Sequence, residues 1–407
     1  MPGYLGLLRR EGDFRRVYVA GLVSAGGAWF AIIPLLTLLA GSTHGGLSGS
    51  LVLAADTAAF ALLSPYAGAV ADRVDRRSLV VACEAASSVF VLLLLAVRGG
   101  GQTALAVLAI GGVAAAKAFS TPATSAALPN LVDPPDLHRA NALSGTSWGT
   151  MLAVGAAAGG LADALVGARA CFVIDAASFL LSAVLVARTS RAFQEERPAA
   201  PRAGFRAQWR EAGGFARSRR WVLVLVACKP GVAFANGSLV LFPLLALHTF
   251  RAGALGTGLL FAARGLGALL GPALLLGRPR DDAALRRLLG GCIALAGLGY
   301  LGVAVAPWFP LALGLVAVAH VGGGGNWVLS SYGLQRHVPD RLRGRVMSAD
   351  LMVVTLAVAA NQVAAGLLSE AVATRTLVAC FGGLSVVYAG GWWLATRNVP
   401  VPVPLEP

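Results

Sequence analysis

The sequence predicts an all-α integral membrane protein with 12 transmembrane helices in two pseudo-symmetric six-helix halves. Three observations predict it. The 407 residues are 57% hydrophobic and only 13% charged, with a mean hydropathy of +0.73. Soluble domains carry roughly a quarter charged residues, and a span needs about 20 apolar ones, so twelve spans with short loops fill this length. Second, the net charge of +14 is laid out in alternate loops. Of 31 arginines, Arg98, Arg169, Arg251 and Arg375 fall in outer loops and Arg264 in span 8, which leaves 26 for the cytoplasmic face. That is the asymmetry of the positive-inside rule, and it disposes of the nucleic-acid reading that a pI near 10.7 invites in a soluble chain. Third, Pro135-Asp136-Leu137-His138-Arg139 followed by Ser144 repeats as Pro339-Asp340-Arg341-Leu342-Arg343 followed by Ser348. The offset of 204 residues is half the chain, as a six-plus-six duplication requires.

In chain order, residues 1–16 form a short basic amphipathic lead. Span 1 covers 17–41 and is too long for the apolar region of a signal peptide. Spans 2 and 3 cover 48–71 and 78–97, separated by a charged turn, and span 4 covers 103–127. After the loop from Asn130 to Arg139 come spans 5 and 6, at 141–162 and 170–187. These residues, 1–187, form the N-terminal half. Residues 188–219 are a polar, cytoplasmic linker. Phe205, Trp209 and Phe215 among its arginines suit a helix on the inner membrane surface. The C-terminal half, 220–396, holds spans 7 to 12 near 220–247, 255–277, 288–306, 310–333, 348–370 and 376–396. The Pro/Val-rich tail, 397–407, is cytoplasmic. Cys83, Cys171, Cys228, Cys292 and Cys380 all lie in apolar runs, with no metal or disulfide spacing.

The turn between spans 2 and 3 reads Gly68-Ala-Val-Ala-Asp72-Arg73-Val-Asp75-Arg76-Arg77. This G-x-x-x-D-R-x-x-R-R pattern resembles the loop 2–3 signature of the major facilitator superfamily, and the resemblance extends over most of the chain. It implies a gating role for Gly68, Asp72, Arg73, Arg76 and Arg77, with Arg343 and Arg345 in the matching C-terminal loop. The Asp72 carboxylate would face the N-terminal end of span 11, where a helix is positive, and hold the two halves together in one state of an alternating-access cycle. Arg73, Arg76 and Arg77 are expected to pair with Asp133 or Asp136. In span 5, Gly155-Ala-Ala-Ala-Gly159-Gly160 resembles the G-P-x-x-G-G antiporter signature, with Ala156 in place of proline; a plain packing face is the alternative. Asp175-Ala-Ala-Ser-Phe-Leu-Leu-Ser182 and Arg139-Ala-Asn-Ala142 resemble the drug-exporter branch that includes macrolide and siderophore efflux proteins. That branch often has Asp where Ala28 stands.

Ionisable residues inside a bilayer are expensive and usually functional. Here they are Asp56, Glu84, Lys117, Asp175, Lys229, Arg264 and His320. In the family, spans 1, 4, 7 and 10 line the central cavity, which points to Trp29, Lys117, Lys229, His320, Asn326 and Trp327 for substrate. Asp56, Glu84 and Asp175 are the candidates for proton coupling. Lys117 and Lys229 are the only lysines beside 31 arginines, and both lie deep in a core about 30 Å thick. Asp56 or Glu84 can serve Lys117. Span 7 offers Lys229 no acid, so a positive cavity and an anionic substrate are expected; the rival is a cation exporter using Asp56 and Glu84. Pro230-Gly231 and Gly322–Gly325 are expected to interrupt spans 7 and 10, as in other transporter sites.

No nucleotide-binding loop, hydrolase triad or metal motif occurs, so no enzyme activity, cofactor or metal is expected. The partners are the bilayer, protons and a small-molecule substrate, without nucleic acid. The expected function is export of a drug or natural product by proton antiport from a cell (inner or plasma) membrane, with both termini cytoplasmic. An uptake or facilitated-diffusion carrier on the same fold and a non-transporting membrane sensor or lipid-handling protein are the rivals.

Overall fold

The computed structural model describes residues 4–42, 44–71, 73–194, 205–275 and 281–400, and no strand occurs among them. Eleven helical stretches are long and apolar enough to cross a membrane. One of them, from Pro134 to Ala187, runs for 54 residues, about 80 Å at 1.5 Å per residue. That is more than twice the hydrocarbon thickness. It turns at Gly167, whose φ of 79° and ψ of 164° are non-helical and cost glycine nothing. It therefore holds two spans, and the described residues supply twelve.

The chain divides into two compact units. The first comprises residues up to Arg197 together with Phe242–Ala262. Its helices are α1 (Tyr4–Arg10), α2 (Gly12–Ala40), α3 (Gly45–Ala71), α4 (Arg76–Leu93), α5 (Thr103–Leu131) and α6 (Leu137–Ala187). Helix α2 packs on α6, and α5 on α3 and α4. It begins five residues before the expected span because Asp13 and Arg16, 2.6 Å apart, pair within its first turns. The glycines of the span 5 signature all serve close packing. A Cβ on Gly155 would strike Trp29 and Gly26, one on Gly159 the Trp29 backbone, and one on Gly160 the backbone of Gly258. The helix runs through them and departs from helical angles only at Gly167.

The second unit comprises Pro198–Leu241 and Ala263–Pro407. It holds α7 (Phe205–Ser218), α8 (Arg220–Ala227) and α9 (Lys229–Asn236). The short α10 (Phe242–Leu244) belongs to the first unit, and α11 (Gly253–Leu275) runs from one unit into the other. Helices α12 (Asp282–Val305), α13 (Phe309–His337), α14 (Asp340–Leu368) and α15 (Thr374–Thr396) complete the second unit. Helix α12 packs against both α13 and α15, and α9 against α14 and α15.

Span 7 is interrupted as expected. One helix ends at Ala227 and the next starts at Lys229, because Pro230 has no N–H for the ladder and its ring crowds the preceding turn. Backbone groups at such a break are supported from within the protein, and α15 braces both sides of it: Ser385 Oγ donates to Gly231 O at 2.8 Å, Tyr388 Oη to Ala227 O at 2.7 Å, and Trp392 Nε1 to Val224 O at 3.2 Å. Span 10, by contrast, is not interrupted. Helix α13 continues through Gly322–Gly325. These glycines let neighbours in: a Cβ on Gly322 would meet Cys292 O of α12, and one on Gly324 would meet Ala268 of α11. The run is a two-sided packing face, which is why it looked like a breaker.

Candidate transport site

In the first unit four helices bring ionisable groups to one place. Asp56 of α3, Lys117 of α5 and Asp175 of α6 line one small pocket, together with Ala28 of α2. Glu84 of α4 interacts electrostatically with Lys117, and Asp175 with both. Asp175 is 1% exposed and Glu84 is buried. Ser178 Oγ donates to Asp175 Oδ1 at 3.2 Å. The second oxygen, Asp175 Oδ2, has no hydrogen-bond partner among the described residues, nor does Glu84 Oε2. Gly27 makes the room, since a Cβ there would collide with Ser178 and sit 2.9 Å from Asp175 Oδ1. The Lys117 ammonium also lies over the Phe179 ring, 5.4 Å from its centroid. So the structure gathers Asp56, Glu84, Lys117 and Asp175, three acids and one base. Trp29, in the same unit, packs 5.6 Å from Phe261, ring to ring.

The second unit holds a different centre. Lys229 forms an ion pair with Asp350 of α14, and the two side chains are 3% and 2% exposed. The ammonium lies 4.9 Å from the centroid of Trp327. Cys228 Sγ contacts Asn326 Oδ1 at 3.8 Å. Asp350 Oδ1 and Asn326 Nδ2 are buried without hydrogen-bond partners among the described residues. This corrects the premise for a positive cavity. Lys229 has no acid on its own span, but span 11 supplies one. His320 stands apart from this centre, with Tyr300 Oη 2.9 Å from its Nε2.

At the inner end of the first unit the signature arginines do not take the expected partners. Arg76 donates to Ala126 O at 3.0 Å, and Arg77 to Arg191 O at 2.6 Å. Arg73 is exposed. Asp136 is held by Arg10 and Arg139, at 2.6 and 2.9 Å, and Asp133 by Arg191 at 3.1 Å. The reason is the segment after span 6, which folds back under its own unit. Asp13 Oδ2 accepts from Ser190 N and Arg191 N, at 3.0 and 2.7 Å. Phe193 is buried with Leu7 and Phe14. Carbonyls of this strap accept from both signature arginines, Phe193 O from Arg76 at 3.5 Å and Arg191 O from Arg77, and its arginine claims Asp133. Asp72 and the surroundings of Gly68 lie outside the described residues. In the second unit Arg345 pairs with Glu211 of the surface helix α7 at 3.1 Å.

Twelve spans with the duplicated loop and ionisable centres inside them define a major facilitator transporter. The chain belongs to the family of transmembrane secretion effectors, whose profile matches residues 7–400. Its fold is similar to that of a bacterial homologue of the human lysosomal transporter Spinster, solved inward-facing and unoccupied (TM-score 0.72, 17% identity, 98% of each chain covered). It is also similar to a POT family transporter in complex with a thioalcohol-conjugated peptide (TM-score 0.76, 10% identity, 95% of this chain and 96% of that one). A third similarity is to the human organic anion transporter MFSD10 (TETRAN) (TM-score 0.63, 18% identity, 93% and 99% covered). No curated protein sequence matches the chain. The protein is a multi-pass membrane transporter and not an enzyme.

Proposed function

We propose that the protein exports a small organic compound, a drug or natural product, from the cytoplasm by proton antiport. The observation that carries this reading is the acid-rich centre of the first unit. Three carboxyls share the centre with one ammonium, and two buried carboxyl oxygens have no hydrogen-bond partner among the described residues. Burying unbalanced charge in a low-dielectric interior is costly, and like charges at one site do not all ionise. Charge balance is reached when protons occupy the surplus carboxyls. Such protons exchange with bulk as the centre opens to either side, which is what coupling requires. The family description and the drug-exporter resemblance support the outward direction. In this reading Gly68, Asp72, Arg73, Arg76, Arg77, Arg343 and Arg345 form the cytoplasmic gate. The arginine asymmetry supports cytoplasmic termini in a cell membrane.

Everted membrane vesicles test the proposal. With an acid interior, they should accumulate at least one compound from a panel of drugs and natural products quantified by mass spectrometry. Nigericin should abolish the accumulation. Accumulation that ignores the pH gradient, or that appears only in right-side-out vesicles, would overturn the reading.

A further inference from the structure

We infer that the Lys229–Asp350 centre is a cation-exchange box: the Lys229 ammonium occupies a place that takes the cationic group of an organic substrate, and Lys229 releases one proton when that group replaces it beside Asp350. The inference rests on the exporter reading and names the substrate class that the reading leaves open.

Four observations carry it. A carboxylate beside an aromatic face is the chemistry that binds organic cations, and Asp350 with Trp327 supplies it. Trp327 is 44% exposed, against 3% for Lys229 and 2% for Asp350, so the ring is the part of the box nearest the protein surface. Asp350 Oδ1 and Asn326 Nδ2 are buried without hydrogen-bond partners among the described residues, so the box has polar capacity that Lys229 does not use. The internal cation is a lysine in a chain where 31 of 33 basic residues are arginine. Lysine can give up its proton in a buried site and arginine cannot.

The exchange balances. Before it, the centre holds one ammonium and one carboxylate. After it, the substrate cation faces the carboxylate, Lys229 is a neutral amine, and one proton has gone to water. The net charge is unchanged, and one proton moves for each cation. An anionic group would have to displace Asp350 instead. Within the membrane-spanning part, the titratable groups on elements packed against α9 are Asp350 of α14, Cys228 beside it, Cys292 and Tyr300 of α12, His320 and Tyr332 of α13, and Cys380 and Tyr388 of α15. Arg264 of α11 acts on Tyr300 and His320. Asp350 is the only carboxyl in that set.

The test uses the full-length protein in lipid nanodiscs. Binding of tritiated tetraphenylphosphonium is measured against tetraphenylborate, which has the same shape and the opposite charge. Proton release is read with a pH indicator in weak buffer. The wild type should prefer the phosphonium and release one proton per cation bound. Lys229→Arg keeps the ion pair but cannot surrender a proton, so binding should fall at least about tenfold, or 1.4 kcal/mol. Lys229→Met should bind as well as the wild type, with the displaced proton coming from Asp350. Asp350→Asn should lose binding while its thermal melt reports folding. A purely structural pair gives the reverse order, with arginine tolerated and methionine not. Wild-type affinity in Lys229→Arg, absence of proton release, or preference for tetraphenylborate would each overturn the inference. If phosphonium binds as expected but everted vesicles show no pH-driven accumulation, the exporter reading fails and the box stands. If accumulation is intact in Lys229→Arg, the box fails and the exporter reading stands.

Discussion

The two units solve the same problem differently. Each holds one of the protein's two lysines, Lys229 buried and Lys117 half-buried. In the first unit Lys117 faces Asp56, Glu84 and Asp175, from three other helices. In the second unit Lys229 faces one carboxylate, Asp350, and an indole. The first centre has a surplus of acid and leaves carboxyl oxygens without hydrogen-bond partners among the described residues. The second is balanced in charge and leaves an amide and one carboxylate oxygen in the same state. A surplus of acid can change its charge by binding protons alone. A balanced pair changes partners without changing charge. The two kinds of centre sit in separate units.

The comparison can be broken most forcefully at the second centre. Asp350→Asn leaves a buried ammonium uncompensated, which typically costs about 3–5 kcal/mol. The double change Lys229→Met with Asp350→Asn should recover most of that. Thermal denaturation in detergent checks both. In the first centre Glu84→Gln should cost less, about 1–2 kcal/mol for an altered hydrogen bond, because two acids still face Lys117. If the two single changes destabilise equally, the centres are not of different kinds.

Function sharpens the contrast. Asp175→Asn should lower pH-driven accumulation at least about tenfold, 1.4 kcal/mol, while leaving substrate-for-substrate exchange at equal pH unchanged. A parallel loss of both rates would make Asp175 structural. Gly27→Ala pushes a methyl into Ser178 and Asp175. Overpacking of this sort costs about 1–3 kcal/mol, and the coupled rate should fall with the melting temperature.

The smallest expected effect lies outside both centres. Asp75 caps α4 by accepting from Ser78 N at 2.7 Å. The hydroxyl and the N–H of Ser78 hold its carboxyl below the ordinary value of 3.8. The folded value is the depressed one. Its stabilisation is therefore present above pH 3.8 and is lost as pH falls through the folded value. Asp75→Ala should cost about 0.5 kcal/mol near neutral pH, the low end for a cap, because the site is exposed and screened. Melts of variant and wild type should converge in acid, and transport should not change.

Much of this organisation was legible in the sequence. Apolar length and arginine placement mark the spans, and Pro230 marks the break in span 7 because proline acts on the backbone locally. Asp56, Glu84, Lys117 and Asp175 stand out because each is an ionisable residue in an apolar run. Asp350 was missed although it lies inside the expected span 11. It sits two residues past Ser348, where a charge reads as the end of a loop, and its partner is 121 residues away. The strap from Thr189 to Phe193 was missed for a related reason. Its polar composition marks a linker, and only tertiary packing shows Phe193 buried and Asp133 claimed by Arg191. The Gly322–Gly325 run misled because glycine both breaks helices and admits close neighbours. Sequence alone does not separate the two.

The most direct test of the acid-rich centre needs no substrate. Infrared difference spectra of the purified protein, recorded through a pH titration, report protonated carboxyl groups by their C=O stretch. The wild type should show such a band titrating reversibly in the membrane-embedded protein, weakened in Glu84→Gln or Asp175→Asn and lost when both are changed. A band that survives the double change unaltered, or a wild type with no titrating carboxyl band, would contradict the assignment of exchangeable protons to this centre.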